Sequence, residues 1–580
     1  MAKKKAELNP GTPKSVTRRG FLKGGAAAGV GGAAALAGLG ATQAKPEFTW
    51  NHEVDIVVVG AGAAGLPAAI AARDLGASVM VVEANFDTGG RALVSGGGTY
   101  LGGGTSLQAA SGVKDSPDAI FKDWTRADHP KTRFNDRELA RKYCDSCVAT
   151  FDFLVKNGVV WDRLVPPDRM DSIQRRNSPR EWPNPKEVIS PGARGSGVVR
   201  PLQVSARQKG VQILLNHRMT TIYRESPNSG RVLGITAMEV DNWYQPKYRT
   251  VNIRAKKAVI IATGGSSTNV NFRRMYDPRL TEEYQVRAGS WTEKHADGEL
   301  ASIAIGAALW GTAIQTDEQD DQIERGNPIG KRYCDSPTIP PESPNFFRER
   351  AVGLFVADWQ DAILVKENGR RFYDETISVA IGAKHEDLRA KSYGFFNAAM
   401  DWTGDPARLN GGGPIWAIFD AAAVAREKWQ VKPPYVDPAG YFVQGETLEE
   451  LAGRIHLVCP YQWRPMPGAA LKQTVERYNS FVDTGKDVDF GKPTPMFKIQ
   501  KPPFYAAWST PVLHDTYAGL RINTNAQVMD MKGEIIPGLY AAGDVAGGFS
   551  MHGIGRATVF GRIAGIHAAN LKPGSHTESA

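Results

Sequence analysis

The sequence is poor in cysteine, with four in 580 residues, and it has no Cys-x-x-Cys-His motif, which excludes a covalently attached c-type haem. Only Cys144 and Cys147 lie close together. They fall in residues 137–155, whose apolar spacing predicts an amphipathic helix, so we interpret them as structural thiols, with a disulfide as the alternative. No metal site is predicted.

The chain also lacks a basic stripe that could bind nucleic acid. Its formal net charge is +9, but residues 1–44 hold seven basic residues and one acidic residue, so +6 belongs to the N-terminus. The remaining +3 is spread over more than five hundred residues without a basic run. This distribution argues against a nucleic-acid partner.

The N-terminus has the pattern of a targeting segment. Residues 17–23 read TRRGFLK and precede a glycine- and alanine-rich run that ends at Ala41. This pattern predicts a twin-arginine signal over residues 1–44, cleaved after Ala44. The run is too weakly apolar for a good membrane span, and an anchor helix is the alternative. The prediction implies the twin-arginine export machinery as a partner, cofactor loading before export, and a periplasmic location.

A nucleotide-binding pattern follows directly. Residues 54–59 form a short apolar run typical of a buried parallel strand, and it leads into Gly60-Ala61-Gly62-Ala63-Ala64-Gly65. Gly60 permits a tight turn, Gly62 lets backbone amides approach a pyrophosphate, and Gly65 allows close packing of the next helix. The N-terminus of that helix then faces the phosphates.

Glu83 ends a second apolar run, at residues 78–82, 23 positions after Gly60. At this spacing a carboxylate accepts hydrogen bonds from the ribose hydroxyls of an adenosine. Strand, loop, helix and acid together predict a dinucleotide site, for either NAD or FAD. Only one complete Gly-x-Gly-x-x-Gly occurs, so a second nucleotide-binding unit is not predicted, and electrons are expected to come from or go to another partner.

Three further segments carry a resemblance to a known family. They are Gly89-Gly90-Arg91 with the loop at residues 95–98, Ala262-Thr263-Gly264-Gly265, and the segment from Gly538 to Asp544. Over residues 52–570 the chain resembles the flavoprotein family of soluble fumarate reductases, urocanate reductases and 3-ketosteroid 1,2-desaturases. The resemblance implies FAD, bound by Gly60, Gly62, Ala64, Gly65, Glu83, Gly90, Arg91, Ser95, Gly97, Ala262, Thr263, Gly264, Gly543, Asp544 and Thr558. For the loop at residues 89–98, a merely flexible loop is the alternative.

The resemblance also implies the fold class. We expect an α/β fold in which a discontinuous, Rossmann-like FAD-binding domain comprises residues 50–275 and 500–572. Residues 276–499 are expected to form an inserted α+β capping domain that covers the substrate.

The family's substrate-binding side chains match particular positions of this sequence. Arg556, in the segment HGIGRAT at residues 552–558, matches a carboxylate-clamping arginine, and His552 opens the same segment. The alternative for Arg556 is an ion pair with a protein carboxylate. His514 matches a substrate-binding histidine that Asp515 could orient, with a structural histidine as the alternative.

Two positions depart from the fumarate reductase pattern. The segment GRRFYDE at residues 369–375 is present, but the proton-donating arginine that should follow is replaced by Val379. Arg370, Arg371, Tyr373 or another capping residue would have to supply the acid. Glu318 stands near the position of a carboxylate-binding histidine and is predicted to favour a hydroxyl, amine or imidazole group, with a solvated acidic cluster as the alternative.

These patterns predict an FAD-dependent oxidoreductase that reduces or desaturates a carbon–carbon bond beside a carboxylate or carbonyl of a small molecule. Its external redox carrier would be a cytochrome or a similar protein. The alternatives are a ketosteroid-type ring dehydrogenase and, in a different class, a non-catalytic electron-relay subunit.

Overall fold

The computed structural model describes residues 49–127, 132–167, 171–311, 328–333, 338–376, 398–403, 412–551 and 553–574. The chain divides into two compact units, residues 1–49 and 50–580, and the second contains every described residue except Thr49. The predicted signal segment therefore lies outside the described residues. Across these ranges, no helix combines the length and apolar character needed to cross a membrane.

The strands of the described residues are β1 (His52–Val59), β2 (Val79–Val82), β3 (Thr99–Tyr100), β4 (Trp161–Leu164), β5 (Arg176–Pro179), β6 (Gln212–Leu214), β7 (His217–Ser226), β8 (Ser229–Val240), β9 (Pro246–Ile261), β10 (Gln285–Val286), β11 (Leu309–Trp310), β12 (Pro328–Ile329), β13 (Leu354–Phe355), β14 (Ile363–Lys366), β15 (Ile415–Asp420), β16 (Phe442–Gly445), β17 (Phe504–Trp508), β18 (Val512–Leu513), β19 (Gly519–Leu520), β20 (Gln527–Met529) and β21 (Ile535–Ala541). The helices are α1 (Gly65–Asp74), α2 (Gly90–Leu93), α3 (Ser106–Ala110), α4 (Pro117–Trp124), α5 (Arg137–Lys156), α6 (Ser196–Gln208), α7 (Val270–Arg273), α8 (Asp297–Ile303), α9 (Ala421–Glu427), α10 (Leu448–Val458), α11 (Gly468–Thr484) and α12 (Gly553–Asn570).

The largest sheet has a parallel centre in the order β21-β9-β1-β2-β6, with β20 added antiparallel at one edge and the β7-β8 hairpin attached to β9. The residues Ile56, Val57 and Val58 of β1 are fully buried, as expected for a strand covered on both faces. This arrangement confirms the predicted α/β, Rossmann-like fold.

Small residues bring the last helix against the first. A Cβ atom added at Gly561 of α12 would lie 2.2 Å from the carbonyl oxygen of Ala64, and one at Gly565 would lie 2.2 Å from that of Ala68. Only glycine permits this approach of two helix backbones. The C-terminal segment that carries Arg556 is thereby packed beside the glycine-rich loop, although the two are about five hundred residues apart in sequence.

A second sheet is antiparallel, in the order β14-β15-β17-β16. Its strand β17 pairs with β15 from Trp416↔Trp508 to Asp420↔Phe504. Residues 504–508 therefore complete this second sheet, and the domain boundary at residue 500 stays a prediction. The apolar character of β17 on both faces gave no sequence signal for which sheet it joins.

Cys144 and Cys147 lie on α5 as predicted, and both are buried free thiols. Burial raises the pKa of Cys147 to about 12 and also raises that of Cys144. The Sγ of Cys147 donates to the carbonyl oxygen of Tyr143 at 3.3 Å. The structure thus has two structural thiols and not the alternative disulfide.

Candidate active site

Two glycines at the loop between β1 and α1 lie too close to neighbouring backbone to carry a side chain. Gly60 has φ +105°, and a Cβ there would lie 2.3 Å from the carbonyl oxygen of Ala262. A Cβ at Gly65 would lie 1.8 Å from the carbonyl oxygen of Gly60. Neither position accepts a side chain without a backbone shift, so these two residues fix the turn and the start of the helix.

Gly62 and Gly90 face open space instead. The nearest described atom to a Cβ at Gly62 is the carbonyl oxygen of Gly89 at 3.9 Å, and the nearest to a Cβ at Gly90 is the Cα of Gly62, also at 3.9 Å. The two predicted cofactor-binding loops therefore lie side by side with a gap that a side chain would fill. Such a gap fits the predicted approach of a pyrophosphate to backbone amides.

The carboxylate of Glu83 forms hydrogen bonds with backbone amides in the glycine-rich loop and after β2. Its Oε2 accepts a hydrogen bond from the Ala61 amide at 2.6 Å and its Oε1 accepts one from the Asn85 amide at 2.8 Å. Burial raises the pKa of Glu83, and these amide donors oppose that rise. A carboxylate has about four lone-pair directions, so the same group can serve the loop and the predicted ribose hydroxyls together.

The remaining predicted cofactor residues lie on loops that meet this one. Ser95 Oγ accepts from the Gly97 amide at 3.2 Å, and Gly97 has φ +76°. A Cβ at Gly543 would lie 3.2 Å from the Cβ of Ala64. Thr263 Oγ1 is buried without a hydrogen-bond partner among the described residues, and it packs against α8, where a Cβ at Gly298 would lie 2.3 Å from it. Gly264 lies next to it, with φ +75°.

Thr558 fits its predicted role less well. It is fully buried, and its hydroxyl donates to the carbonyl oxygen of Ile554 at 2.9 Å within α12. The hydroxyl can still accept a hydrogen bond, so its contact with the cofactor stays a prediction.

Five charged side chains converge beside these loops: Arg91, Lys294, Asp515, Asp544 and Arg556, which we call the charged cluster. Arg91 donates to Asp515 and to the carbonyl oxygen of His514. Lys294 Nζ donates to Asp544 Oδ2 at 2.7 Å, and Arg556 Nη2 donates to Asp544 Oδ1 at 2.8 Å. Burial raises the pKa of Asp544, but Lys294 and Arg556 outweigh it and hold that pKa below its usual value.

Arg556 makes the ion pair that was the alternative to a substrate clamp. It is 2% exposed, and it also donates to the carbonyl oxygens of Phe549 at 2.8 Å and Thr516 at 3.0 Å. Its Nε is buried without a hydrogen-bond partner among the described residues. Two of the five N–H donors of the guanidinium, including the buried Nε, thus have no partner among the described residues, and the clamp remains a prediction.

His514 lies beside the charged cluster, and its Nδ1 forms no direct hydrogen bond with Asp515. The distance from His514 Nδ1 to Asp515 Oδ2 is 3.7 Å, which is too long for a hydrogen bond, and Asp515 is held by Arg91. His552, Glu318 and Val379, on which the other predictions depend, lie outside the described residues.

In the segment GRRFYDE, Arg371 is engaged in buried ion pairs. This arginine is buried beside the second sheet, where its Nε and Nη2 donate to the two carboxylate oxygens of Glu375 at 2.7 and 2.8 Å. Its Nη2 also donates to Asp487 at 2.9 Å, and Lys492 Nζ lies 3.6 Å from Glu375. Arg370 is exposed. Arg371 is thus held by two buried carboxylates beside the second sheet, and its role as a proton donor stays a prediction.

Replacing Arg371 with methionine should therefore destabilise the protein around the second sheet. The change leaves two buried carboxylates with less compensation, which costs about 3–5 kcal/mol of unfolding free energy. Chemical denaturation of the deflavinated variant measures this loss. The matched control is Arg370→Met at the exposed neighbouring position, where we expect a change within about 0.5 kcal/mol; equal stability of the two variants would contradict this assignment.

Sequence reasoning missed Lys294. It precedes α8 and belongs to none of the motifs, so nothing in its sequence context indicated that it reaches Asp544, 250 positions later. Only the packing of α8 against residues 261–263 makes the contact, through the close approach of Gly298 to Ile261 and Thr263.

A parallel sheet with a glycine-rich loop at the end of β1, an acid at the end of β2 and a polar cluster on converging loops defines a dinucleotide-dependent oxidoreductase. The chain belongs to the family described as FAD binding domain, whose model matches residues 55–558. The cofactor is accordingly FAD, and the protein is an FAD-dependent oxidoreductase.

Individual relatives agree with this assignment. The chain is 27% identical over 531 residues to a probable fumarate reductase of Shewanella frigidimarina, a match that covers 90% of this chain and 75% of the relative. Among solved structures, the open conformation of a flavocytochrome c3 fumarate reductase shares its fold with TM-score 0.60 at 23% identity, covering 97% of this chain and 82% of that one. A 3-ketosteroid-Δ4-(5α)-dehydrogenase from Rhodococcus jostii gives TM-score 0.53 at 25% identity, covering 91% and 99%.

Proposed function

We propose that this protein is a periplasmic enzyme that reduces or desaturates a carbon–carbon bond beside a carboxylate or carbonyl group. The observation that carries the proposal is the placement of Arg556 and His514 on the charged cluster at the cofactor site. Both belong to segments that resemble the substrate-binding segments of fumarate reductases. Bound FAD would supply hydride acceptance and donation.

Arg556 is suited to bind and polarise an acidic or carbonyl substrate. Asp544 and two backbone carbonyl oxygens fix its plane. Its buried Nε, which has no hydrogen-bond partner among the described residues, would donate to a substrate oxygen, and its permanent charge would draw electron density from a conjugated double bond. His514, 15% exposed at its side chain, would donate a second hydrogen bond to the substrate.

Arg556 also allows a direct test of substrate binding. We expect Arg556→Lys to keep stoichiometric FAD, because a cation remains beside Asp544, but to lose the planar donor set. The value of kcat/KM should fall about 100-fold, which corresponds to about 2.7 kcal/mol. Steady-state kinetics and the flavin absorbance of the same sample measure the two effects. Unchanged kinetics would remove Arg556 from the substrate site.

An anaerobic assay distinguishes the reaction classes. Oxidation of reduced viologen by a panel of unsaturated acids supports the reductase. Dye reduction by saturated ketones supports a ketosteroid-type dehydrogenase, which the Ala557-Thr558 ending favours and Arg556 disfavours. Absence of turnover with either panel, despite bound FAD, overturns the proposed enzyme and supports an electron-relay subunit.

Export and the electron carrier belong to the same proposal. A twin-arginine signal delivers a folded, FAD-loaded protein, so the electron carrier would be a periplasmic cytochrome or a similar protein. Replacing Arg18 and Arg19 by lysine should leave FAD-loaded protein in the cytoplasmic fraction. A periplasmic location of that variant would contradict the assigned signal.

A further inference from the structure

Lys294 links two of the loops that bind the cofactor. Its backbone is fixed by Thr268, whose Oγ1 accepts from the Lys294 amide at 2.7 Å and whose own amide donates to the Lys294 carbonyl oxygen at 3.1 Å. A Cβ at Gly264 would lie 3.8 Å from Cγ and Cε of Lys294. The side chain is 4% exposed, and its ammonium ends on Asp544. The position of the charge is therefore strongly constrained.

The charged cluster carries one positive charge that its own carboxylates do not balance. Its five members are three basic side chains and two carboxylates. Glu299, which lies close enough to influence Asp544, is fully buried, and burial raises its pKa well above the usual value. An uncompensated buried charge is costly unless a ligand of opposite charge meets it.

FAD can supply a negative charge from its pyrophosphate and, after reduction, from its isoalloxazine ring. The negatively charged pyrophosphate would lie in the open gap at Gly62 and Gly90, where the N-terminus of α1 stabilises its charge. The charged cluster lies instead with His514 and Arg556. If substrate binds there, as proposed above, this is the end of the isoalloxazine ring, which gains negative charge on reduction.

We propose that Lys294 is a positioning residue of the flavin: its ammonium fixes Asp544 and supplies the buried positive charge that favours reduced over oxidised FAD. Removing the charge makes the bound flavin harder to reduce. A substitution that changes the length or shape of the side chain but keeps its positive charge does not make the bound flavin harder to reduce.

The test measures the flavin itself and needs no substrate. The two-electron midpoint potential of bound FAD is determined by equilibration with reference dyes in the wild type, in Lys294→Gln and in Lys294→Arg. Titration of each deflavinated protein gives the dissociation constant of oxidised FAD. Glutamine keeps a hydrogen-bond donor to Asp544, which protects folding and FAD loading.

We expect Lys294→Gln to weaken reduced FAD about tenfold more than oxidised FAD, which lowers the midpoint potential by about 30 mV. Lys294→Arg should restore the wild-type potential, and the control Lys247→Gln, at an exposed lysine on β9, should not change it. An unchanged potential in Lys294→Gln, or an equal fall in Lys294→Arg, overturns the proposal. Because no substrate is present, either result is independent of the reaction class proposed above.

Discussion

Asp544→Asn is expected to give a protein that no longer retains FAD and that is less stable even without it. In the wild type, Asp544 accepts hydrogen bonds from Lys294 and Arg556, both almost completely buried. Asparagine keeps the shape of the side chain but removes its charge, so two buried cations lose their shared partner. Removal of one partner from a buried ion pair typically costs about 3–5 kcal/mol.

Two measurements on purified Asp544→Asn check this prediction. Flavin absorbance relative to protein absorbance reports the FAD content, and denaturant unfolding of deflavinated samples reports the unfolding free energy. Asp145→Asn is the matched control, because Asp145 pairs with Arg141 on the exposed face of α5, where an ion pair contributes below about 1 kcal/mol. Stoichiometric FAD and an unchanged unfolding free energy in Asp544→Asn would contradict the role of Asp544.

A double variant separates loss of charge balance from loss of a hydrogen bond. Adding Lys294→Met to Asp544→Asn removes one of the two unpaired cations and should recover part of the lost stability. The interaction energy of such a cycle is meaningful because the two side chains are in direct contact. If the two losses simply add, the pair does not carry the stabilisation that we assign to it.

The sequence predicted the scaffold well because its signals are local. The strand at residues 54–59, the loop from Gly60 to Gly65 and the acid Glu83 follow one another within thirty residues, and each has a distinct physical reason. The structure brings them together as expected, with Glu83 bonded to the amide of Ala61. The family resemblance then identified the distant segment ending at Asp544.

The sequence predicted side-chain partners poorly because these depend on packing between distant segments. Arg371 lies in a recognisable motif, yet only the structure shows that it forms ion pairs with Glu375 and Asp487. Lys294 lies in no motif at all. Similarly, Asp515 follows His514 directly in sequence, but its carboxylate pairs with Arg91, 424 positions away.

Gly62 and Gly65, three residues apart, should respond in opposite ways to the same substitution by alanine. At Gly65 the new Cβ would lie 1.8 Å from the carbonyl oxygen of Gly60, so α1 must move away from the loop. We expect a loss of about 1–3 kcal/mol of unfolding free energy together with loss of FAD. At Gly62 the nearest described atom is 3.9 Å away, so the deflavinated protein should be as stable as the wild type or gain about 0.4–1 kcal/mol.

Gly62→Ala should weaken FAD binding, because the new Cβ would occupy the gap through which the pyrophosphate approaches the loop amides. We expect the dissociation constant of FAD to rise about 100-fold, measured by titrating deflavinated protein and following flavin fluorescence. Gly453→Ala on α10 is the control, since a Cβ there meets no described atom within 4 Å and the residue lies in none of the predicted cofactor-binding segments. Wild-type FAD affinity in Gly62→Ala would show that the pyrophosphate does not use this gap, whereas loss of stability without loss of affinity would show that Gly62 shapes the fold rather than the cofactor site.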